Sequence, residues 1–206
     1  MNKIILFLPI FLLPWIGCIK PQIVIKHIPQ KGERIRIAVL PFKDAPGAPG
    51  SGEIAAESMT THLLRVNSYE IIERSALEQI LKEQKLGVTG AIDLETAAQL
   101  GKILGADALV IGAITEYQKR KNMVLPPAKA TVTARMVRTQ TGVLDWTATC
   151  TAGWHPLKWI LFMPPPGMFL GPTFIMSSPT VEDRIQKASR KIAEQIVIKI
   201  QGKTSK

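Results

Sequence analysis

Between Glu70 and Gly112 the chain has few ways to fold. EIIERSALEQILKEQKLGVTGAIDLETAAQLGKILGADALVIG reads as strand, helix, helix, strand. A short strand runs from Tyr69 to Glu73 with apolar Ile71 and Ile72. Ser75, with Glu78 three residues on, forms a capping box. Leu77, Ile80, Leu81 and Gln84 then share one helical stripe. Gly87 to Gly90 breaks that helix, and Asp93 caps the next, where Leu94, Ala97, Gly101 and Leu104 repeat at helical spacing. Gly105 stands where a left-handed terminator belongs. Ala108-Leu109-Val110-Ile111 follows with no alternation, which suits a strand covered on both faces. The polar residues here sit at caps and on solvated faces, so function is sought elsewhere.

The flanks extend the pattern. Ile35 to Phe42 reads as the first core strand. Asp44 to Gly52 reads as a flexible, Gly- and Pro-rich surface loop. Glu53 to Val66 is a helix with Ala55, Met59, His62 or Leu63, and Val66 inward. After the central strand comes a basic, Pro-containing connection from Tyr117 to Lys129. Thr131 to Arg138 and Val143 to Cys150 then alternate, with Val132, Ala134, Met136 and Leu144, Trp146, Ala148, Cys150 on the apolar sides. Period two with one polar face predicts a half-exposed antiparallel hairpin turning at Thr141-Gly142. The last helix begins at a cap around Thr180–Asp183 and carries the stripe Val181, Ile185, Ala188, Ile192 and Ile196. The tail from Gly202 to Lys206 is expected to fray. The fold class is α/β, a single domain over 34–201, with a mixed sheet flanked by helices in the order β-α-β-α-α-β-β-β-α.

The phrases IIERSALEQILKEQKLGVTG and TAAQLGKILGADALVIGAI resemble the core of the CsgG-like family of bacterial outer-membrane lipoproteins, named for the curli secretion channel. The resemblance runs from the strand at Ile35 to Gly153. Its specificity lies in the joint spacing of the ER-S-x-L-x-x-I-L-x-E-Q and L-G-x-x-x-G-A-D phrases. The resemblance implies an outer-membrane lipoprotein; separately, the chain shows no nucleophile with a base, no paired catalytic carboxylates and no metal spacing, so an enzyme is not expected.

The N-terminus is read independently. MNKIILFLPIFLLPWIGC offers Lys3 as a positive start and Ile4 to Ile16 as an apolar core. Thirteen helical residues would reach only about 20 Å, short of the ~30 Å hydrocarbon layer. Pro9 and Pro14 weaken a helix further. Residues 1–17 therefore read as a signal peptide. Gly17-Cys18 resembles a lipobox, with Trp15 in place of its usual Leu, and makes Cys18 the expected lipid attachment site. More than one acyl chain is needed for a stable anchor, which a lipoprotein cysteine supplies. Ile19 after the cysteine, together with the family resemblance, implies the periplasmic face of the outer membrane. Residues 18–33 read as a lipidated tether, in which Ile23 to Ile28 could add an edge strand between Pro21 and Pro29.

The net charge is +10, and removing the leader takes only Lys3. Lys119-Arg120-Lys121 is the only tight basic cluster, and no basic stretch is interleaved with aromatics, so a nucleic-acid partner is not expected. Cys18 and Cys150 are the only cysteines. They form no C-x-x-C pair, and Cys150 falls on an apolar strand face as an inert core thiol. Gly47, Gly50 and Gly52 lack both a following G-K-[ST] and the G-x-G-x-x-G spacing, which excludes the phosphate-loop reading. His62 has no His or Cys at i+4 and His155 no evident partner. No cofactor, metal or small-molecule substrate is expected.

Functional expectation centres on Trp154 to Met176, WHPLKWILFMPPPGMFLGPTFIM. Trp154, Trp159, Phe162, Met163, Met168, Phe169 and Phe174 are its candidate contact residues. Pro164-Pro165-Pro166-Gly167 excludes a spanning helix. Four readings stand: a membrane hairpin, an interfacial loop in the bilayer that holds Cys18, a docking patch for an envelope protein, or a loop folded into the domain's own core. The hairpin arms, 157–163 and 168–176, fall short of or barely reach the roughly 9 to 11 residues of a spanning strand and do not alternate. The expected function is a non-enzymatic, lipid-anchored assembly or accessory subunit for export or envelope biogenesis, alone or as a homo-oligomer. The alternatives are a pore-forming secretion-channel subunit and a lipoprotein activator of a peptidoglycan synthase.

Overall fold

The computed structural model describes residues 20–73, 79, 94–119, 128–153 and 180–204. Of the helix expected from Ser75 only Gln79, in helical conformation, is described; the Gly87–Gly90 break and the Asp93 cap lie outside the described residues, as do Cys18 and Trp154 to Met176. The described elements are β1 (Gln22–Ile25), β2 (Ile35–Val39), α1 (Ser51–Leu63), β3 (Tyr69–Ile71), α2 (Leu94–Leu104), β4 (Ala108–Gln118), β5 (Lys129–Arg138), β6 (Leu144–Ala152) and α3 (Val181–Thr204). They form a mixed α/β domain. Its six-stranded sheet has the order β1-β6-β5-β4-β2-β3. β2 runs parallel to β3 and β4, and the remaining pairs are antiparallel.

The unalternating run in β4 finds the environment its composition demands. Ala108 and Val110 join one apolar cluster with Ala55, Met59 and Leu63 of α1 and Ile185, Ile192 and Ile196 of α3. Leu109 and Ile111 join a second cluster on the opposite face with Leu100 and Leu104 of α2. The sheet thus carries α1 and α3 on one side and α2 on the other. β5 and β6 keep the predicted alternation, with Val132, Ala134, Met136, Trp146, Ala148 and Cys150 buried under α3. Arg135 and Thr147 are exposed on the far side. The expected stripe of α3 is buried throughout, and a reciprocal capping box starts the helix. Asp183 N–H donates to Thr180 Oγ1 at 3.1 Å, and Thr180 N–H donates to Asp183 Oδ2 at 2.7 Å. The helix continues through Gly202 to Thr204, where the sequence suggests fraying.

The L-G-x-x-x-G-A-D phrase is a junction between helix, strand and hairpin. Gly105 takes φ 60°, and Ala106 N–H donates back to Gly101 O at 2.8 Å, closing α2 with a Schellman turn. Asp107 pairs with Arg36 in both directions: Arg36 N–H donates to its Oδ2 at 2.9 Å, and its own N–H donates to Arg36 O at 2.8 Å. The Thr139 hydroxyl, at the hairpin turn, donates to Ala106 O at 2.8 Å. That contact draws the turn onto α2 so closely that a Cβ on Gly101 would lie 2.3 Å from Thr139 Cβ.

The edge strand that Ile23 to Ile28 could add is present as β1, paired with β6 from Gln22↔Thr149 to Ile25↔Trp146. Two other local expectations change. The loop after β2 is not slack: Ala45 and Ala48 are buried, and Asp44 bonds across it. In β6 the alternation breaks at its first residues. Met136 pairs with Trp146 but Val137 with Leu144, so Asp145 is an extra residue in a β-bulge. Asp145 therefore turns inward to 2% exposure and Leu144 turns out to 36%, opposite to the sequence pattern.

Gly101→Ala forces a methyl group into Thr139 and is expected to cost about 1–3 kcal/mol. The measurement is the urea midpoint. An unchanged midpoint would mean the hairpin turn does not bear on α2.

Candidate functional site

Several chain ends meet at one end of the sheet. β1 points its start toward that end, Gln22 lying opposite Thr149, three residues before the end of β6. β4 ends there, with Gln118 opposite Lys129, the first residue of β5. β6 ends there, with Ala152 opposite Ala130. α3 also begins there, because Tyr117 OH at the end of β4 donates to Glu182 Oε1 at 3.2 Å. The attachment points of residues 1–19, 120–127 and 154–179 therefore share one end of the domain. Cys18, Trp154, Trp159, Phe162, Met163, Met168, Phe169 and Phe174 all fall in those segments, outside the described residues. The structure brings their attachment points together.

A compact polar network closes this end. Glu116 follows a register shift after Ile114, which sets its carboxylate beside Thr131. Lys129 Nζ donates to Glu116 Oε1 at 2.8 Å and Thr131 Oγ1 to Glu116 Oε2 at 2.9 Å. The Thr151 hydroxyl lies 2.9 Å from that of Thr131 and, since Thr131 donates to Glu116, donates to it in turn. The Lys129 hydrogen bond, aided by Thr131, holds the Glu116 carboxyl below its ordinary range. Glu182 is also held low, chiefly by its own backbone N–H at the start of α3, with the Thr180 and Tyr117 hydroxyls adding to it. Lys119 Nζ stands 5.6 Å from the centre of the Tyr117 ring. Every carboxylate of this network has a hydrogen-bond donor, so it reads as a brace for emerging chain ends. Sequence reasoning passed over it, because Glu116 and Thr131 appear there only as strand termini. The register shift that joins them leaves no signal in composition.

The loop after β2 is equally self-contained. Asp44 Oδ1 accepts from Gly52 N–H at 2.7 Å and Asp44 Oδ2 from Gly50 N–H at 3.1 Å. Ser51 Oγ accepts from Ala45 N–H at 3.0 Å. The carboxylate of Asp44 fills the N-terminus of α1, where an anion would otherwise bind. A side chain at Gly52 would place its Cβ 1.9 Å from Phe42 O, so the loop is packed rather than open. His62 is tied to its own helix, Nδ1 lying 2.8 Å from Ser58 O. Cys150 is buried, as expected of a core thiol. Among the described residues, no group of three or more His, Cys, Asp or Glu is arranged to hold a metal, and no helix is long and apolar enough to cross a membrane.

Residues 22–123 match the family model described as Curli production assembly/transport component CsgG. No curated protein matches the chain. The chain is similar to the solved PelC dodecamer from Paraburkholderia phytofirmans at 14% identity, covering 83% of this chain and 95% of that one, with a TM-score of 0.47. Lipoprotein GNA1162 from Neisseria meningitidis is 19% identical, with coverages of 69% and 91% and a TM-score of 0.48. The LpoB C-terminal domain from Escherichia coli is 12% identical, with coverages of 58% and 82% and a TM-score of 0.43.

Because the folded Glu116 has a lowered pKa, the stability it adds is present above the pKa of the unfolded carboxylate. It is lost as pH falls through the folded value. Glu116 and Lys129 are each more than a third exposed, and solvent screening limits the effect to about 1 kcal/mol or less. Glu116→Gln should therefore destabilise the protein slightly at neutral pH and match the wild type once both are unfolded from acid solution below the carboxylate range. Denaturant titrations at the two pH values test this. A deficit that persists in acid would show that the charge of Glu116 is not what matters.

Proposed function

The chain belongs to the CsgG-like family through residues 22–123, and from that premise we propose a non-enzymatic, lipid-anchored envelope protein. It is an assembly or accessory subunit for export or envelope biogenesis. Cys18 holds it to the outer membrane on the periplasmic side. Trp154 to Met176 makes the contact with lipid or with an envelope partner through Trp154, Trp159, Phe162, Met163, Met168, Phe169 and Phe174.

One observation supports this reading: the start of β1 points toward the end of the domain at which β6 finishes and α3 begins. Only three residues separate Cys18 from Gln22. At ~3.3–3.6 Å per residue, a fully extended link of that length reaches about 14 Å. An acyl anchor on Cys18 thus holds this end near the bilayer, and an apolar segment leaving Gly153 and returning at Thr180 is within reach of the interface. Five aromatic side chains in 23 residues, flanked by prolines, are the composition of a surface that buries itself on contact.

The secretion-channel reading is second. It is favoured by one feature, that residues 120–127 and 154–179 leave the sheet at the same end, β5 pairing with both β4 and β6 there. Against it stands the brevity of 120–127, which cannot supply two spanning strands of roughly 9 to 11 residues.

The test is the mass of detergent-extracted protein by light scattering, for the full chain and for a chain lacking Trp154 to Met176. Cys18→Ser is scored in parallel for membrane retention. The expected results are loss of retention in Cys18→Ser and loss of partner or self-association in the deletion. A closed oligomer that survives deletion of the loop would refute docking through that segment. Full retention of Cys18→Ser would refute the lipid anchor.

A further inference from the structure

The segment from Gln22 to Arg34 joins the domain differently from every other strand. Within residues 20–34 only Pro29 is buried. Ile23, Ile25 and Ile28 pack against the core edge and remain partly exposed, and Val24 is 58% exposed. The other fastenings are polar and peripheral. Lys199 Nζ donates to Ile23 O at 3.1 Å. The backbone N–H groups of Lys26 and His27 donate to Asp145 O at 2.8 and 3.2 Å. Arg138 Nη2 meets Glu33 Oε1 at 3.5 Å, His27 Nε2 stands 4.0 Å from the same oxygen, and Gln30 N–H donates to Glu33 Oε2 at 2.8 Å.

The charges are distributed so that this strap can leave at small electrostatic cost. The buried carboxylate of Asp145 is held by Arg138 Nε at 2.7 Å, and both residues belong to the β5–β6 hairpin. Detaching the strap leaves that pair intact, whereas stranding a buried charge would be severely destabilising. Glu33, the strap's own contribution, passes to water. What is lost is four strand pairings, the burial of Pro29, partial burial of three isoleucines and one partly buried ion pair. Such segments open locally, below the free energy of global unfolding.

We propose that residues 22–34 form a releasable strap that sets how far the domain stands from its anchor. Docked, the free link is the three residues between Cys18 and Gln22. Released, it is the sixteen residues between Cys18 and Ile35, with an extended reach of about 55 Å. The same chain then serves two positions, close against the bilayer or well into the aqueous space. The reach rests on the lipid anchor proposed above; the opening of the strap does not.

Hydrogen exchange on the full chain in detergent reads the opening alone. Strap amides should exchange at least about a hundred-fold faster than those of β4 and β5, through an opening of their own. Glu33→Gln keeps the acceptor and removes the charge; it should speed strap exchange about two- to five-fold and leave β5 unchanged. A Val24→Cys/Thr147→Cys pair, opposite one another across β1 and β6, should lock the strap when oxidised and abolish the separate opening. The second readout is energy transfer from a lipid-bilayer dye to a label at Gly202 in lipidated protein. It should report a longer mean distance for Glu33→Gln than for the locked pair. Strap amides exchanging in step with β5, or unaffected by the lock, would overturn the proposal. A separate opening with no change in distance would leave the strap standing and overturn its control of reach. Protein that never enters the bilayer fraction would instead fail the anchor.

Discussion

The constraint on which this fold depends is the burial of β4 on both faces. Ala108 and Val110 need α1 and α3, and Leu109 and Ile111 need α2. Leaving either face uncovered would put half of its apolar surface in water, at about 25 cal/mol per Å². Helices cover both faces, and β2 and β5 flank the strand within the sheet. The parallel partner requires a crossover, which the stretch from β3 through α2 supplies. The antiparallel partner can follow through a short connection, as β5 does. The mixed sheet is thus a consequence of one unalternating run.

The polar residues that look available for chemistry are committed to building this frame. Asp44 terminates α1, Asp107 holds β2 and the end of α2 together, Thr139 ties the hairpin turn to α2, and Thr180 with Asp183 starts α3. Each bonds backbone groups that a helix end or loop would otherwise leave unsatisfied. Both carboxylate oxygens of Asp44 are taken up by the backbone N–H groups of Gly50 and Gly52 at the start of α1. Function consequently shifts to surfaces and to chain segments that the frame holds in place.

How much of this was legible in the sequence depends on range. Helical stripes, the Schellman glycine at 105 and the Thr180 cap are set within a few residues, and the chain displays them. The double burial of 108–111 was also readable, because composition alone demands it. Asp145 was not. Its side chain is inward because a bulge shifts the register with β5, and a period-two reading continues through a bulge unaware. β1 was half legible: Ile23 and Ile25 alternate, yet only the free edge of β6 decides that they pair. The Glu116–Thr131 brace and the meeting of chain ends are properties of sheet register. No local pattern encodes them. The contact role proposed for Trp154 to Phe174 rests on composition alone, and the structure adds the point at which their segment attaches.

That attachment is where sheet topology meets envelope physics. One antiparallel pairing separates β1 from β6 and three separate it from β4, so the start of β1 points toward the end at which both β6 and β4 finish. The anchor proposed at Cys18 would therefore orient the domain as well as retain it. The helix C-terminus at Thr204 and the turn at Gly142 lie toward the other end, beside the charged group of Glu33, Arg138 and Asp145. A lipid anchor without such topology would leave the domain free to tumble on its leash. Under the anchor proposed above, the domain would present one end to the bilayer and the other to the aqueous space, and the Glu33–Arg138 pair would lie at the end remote from the lipid, where water and ions compete for it.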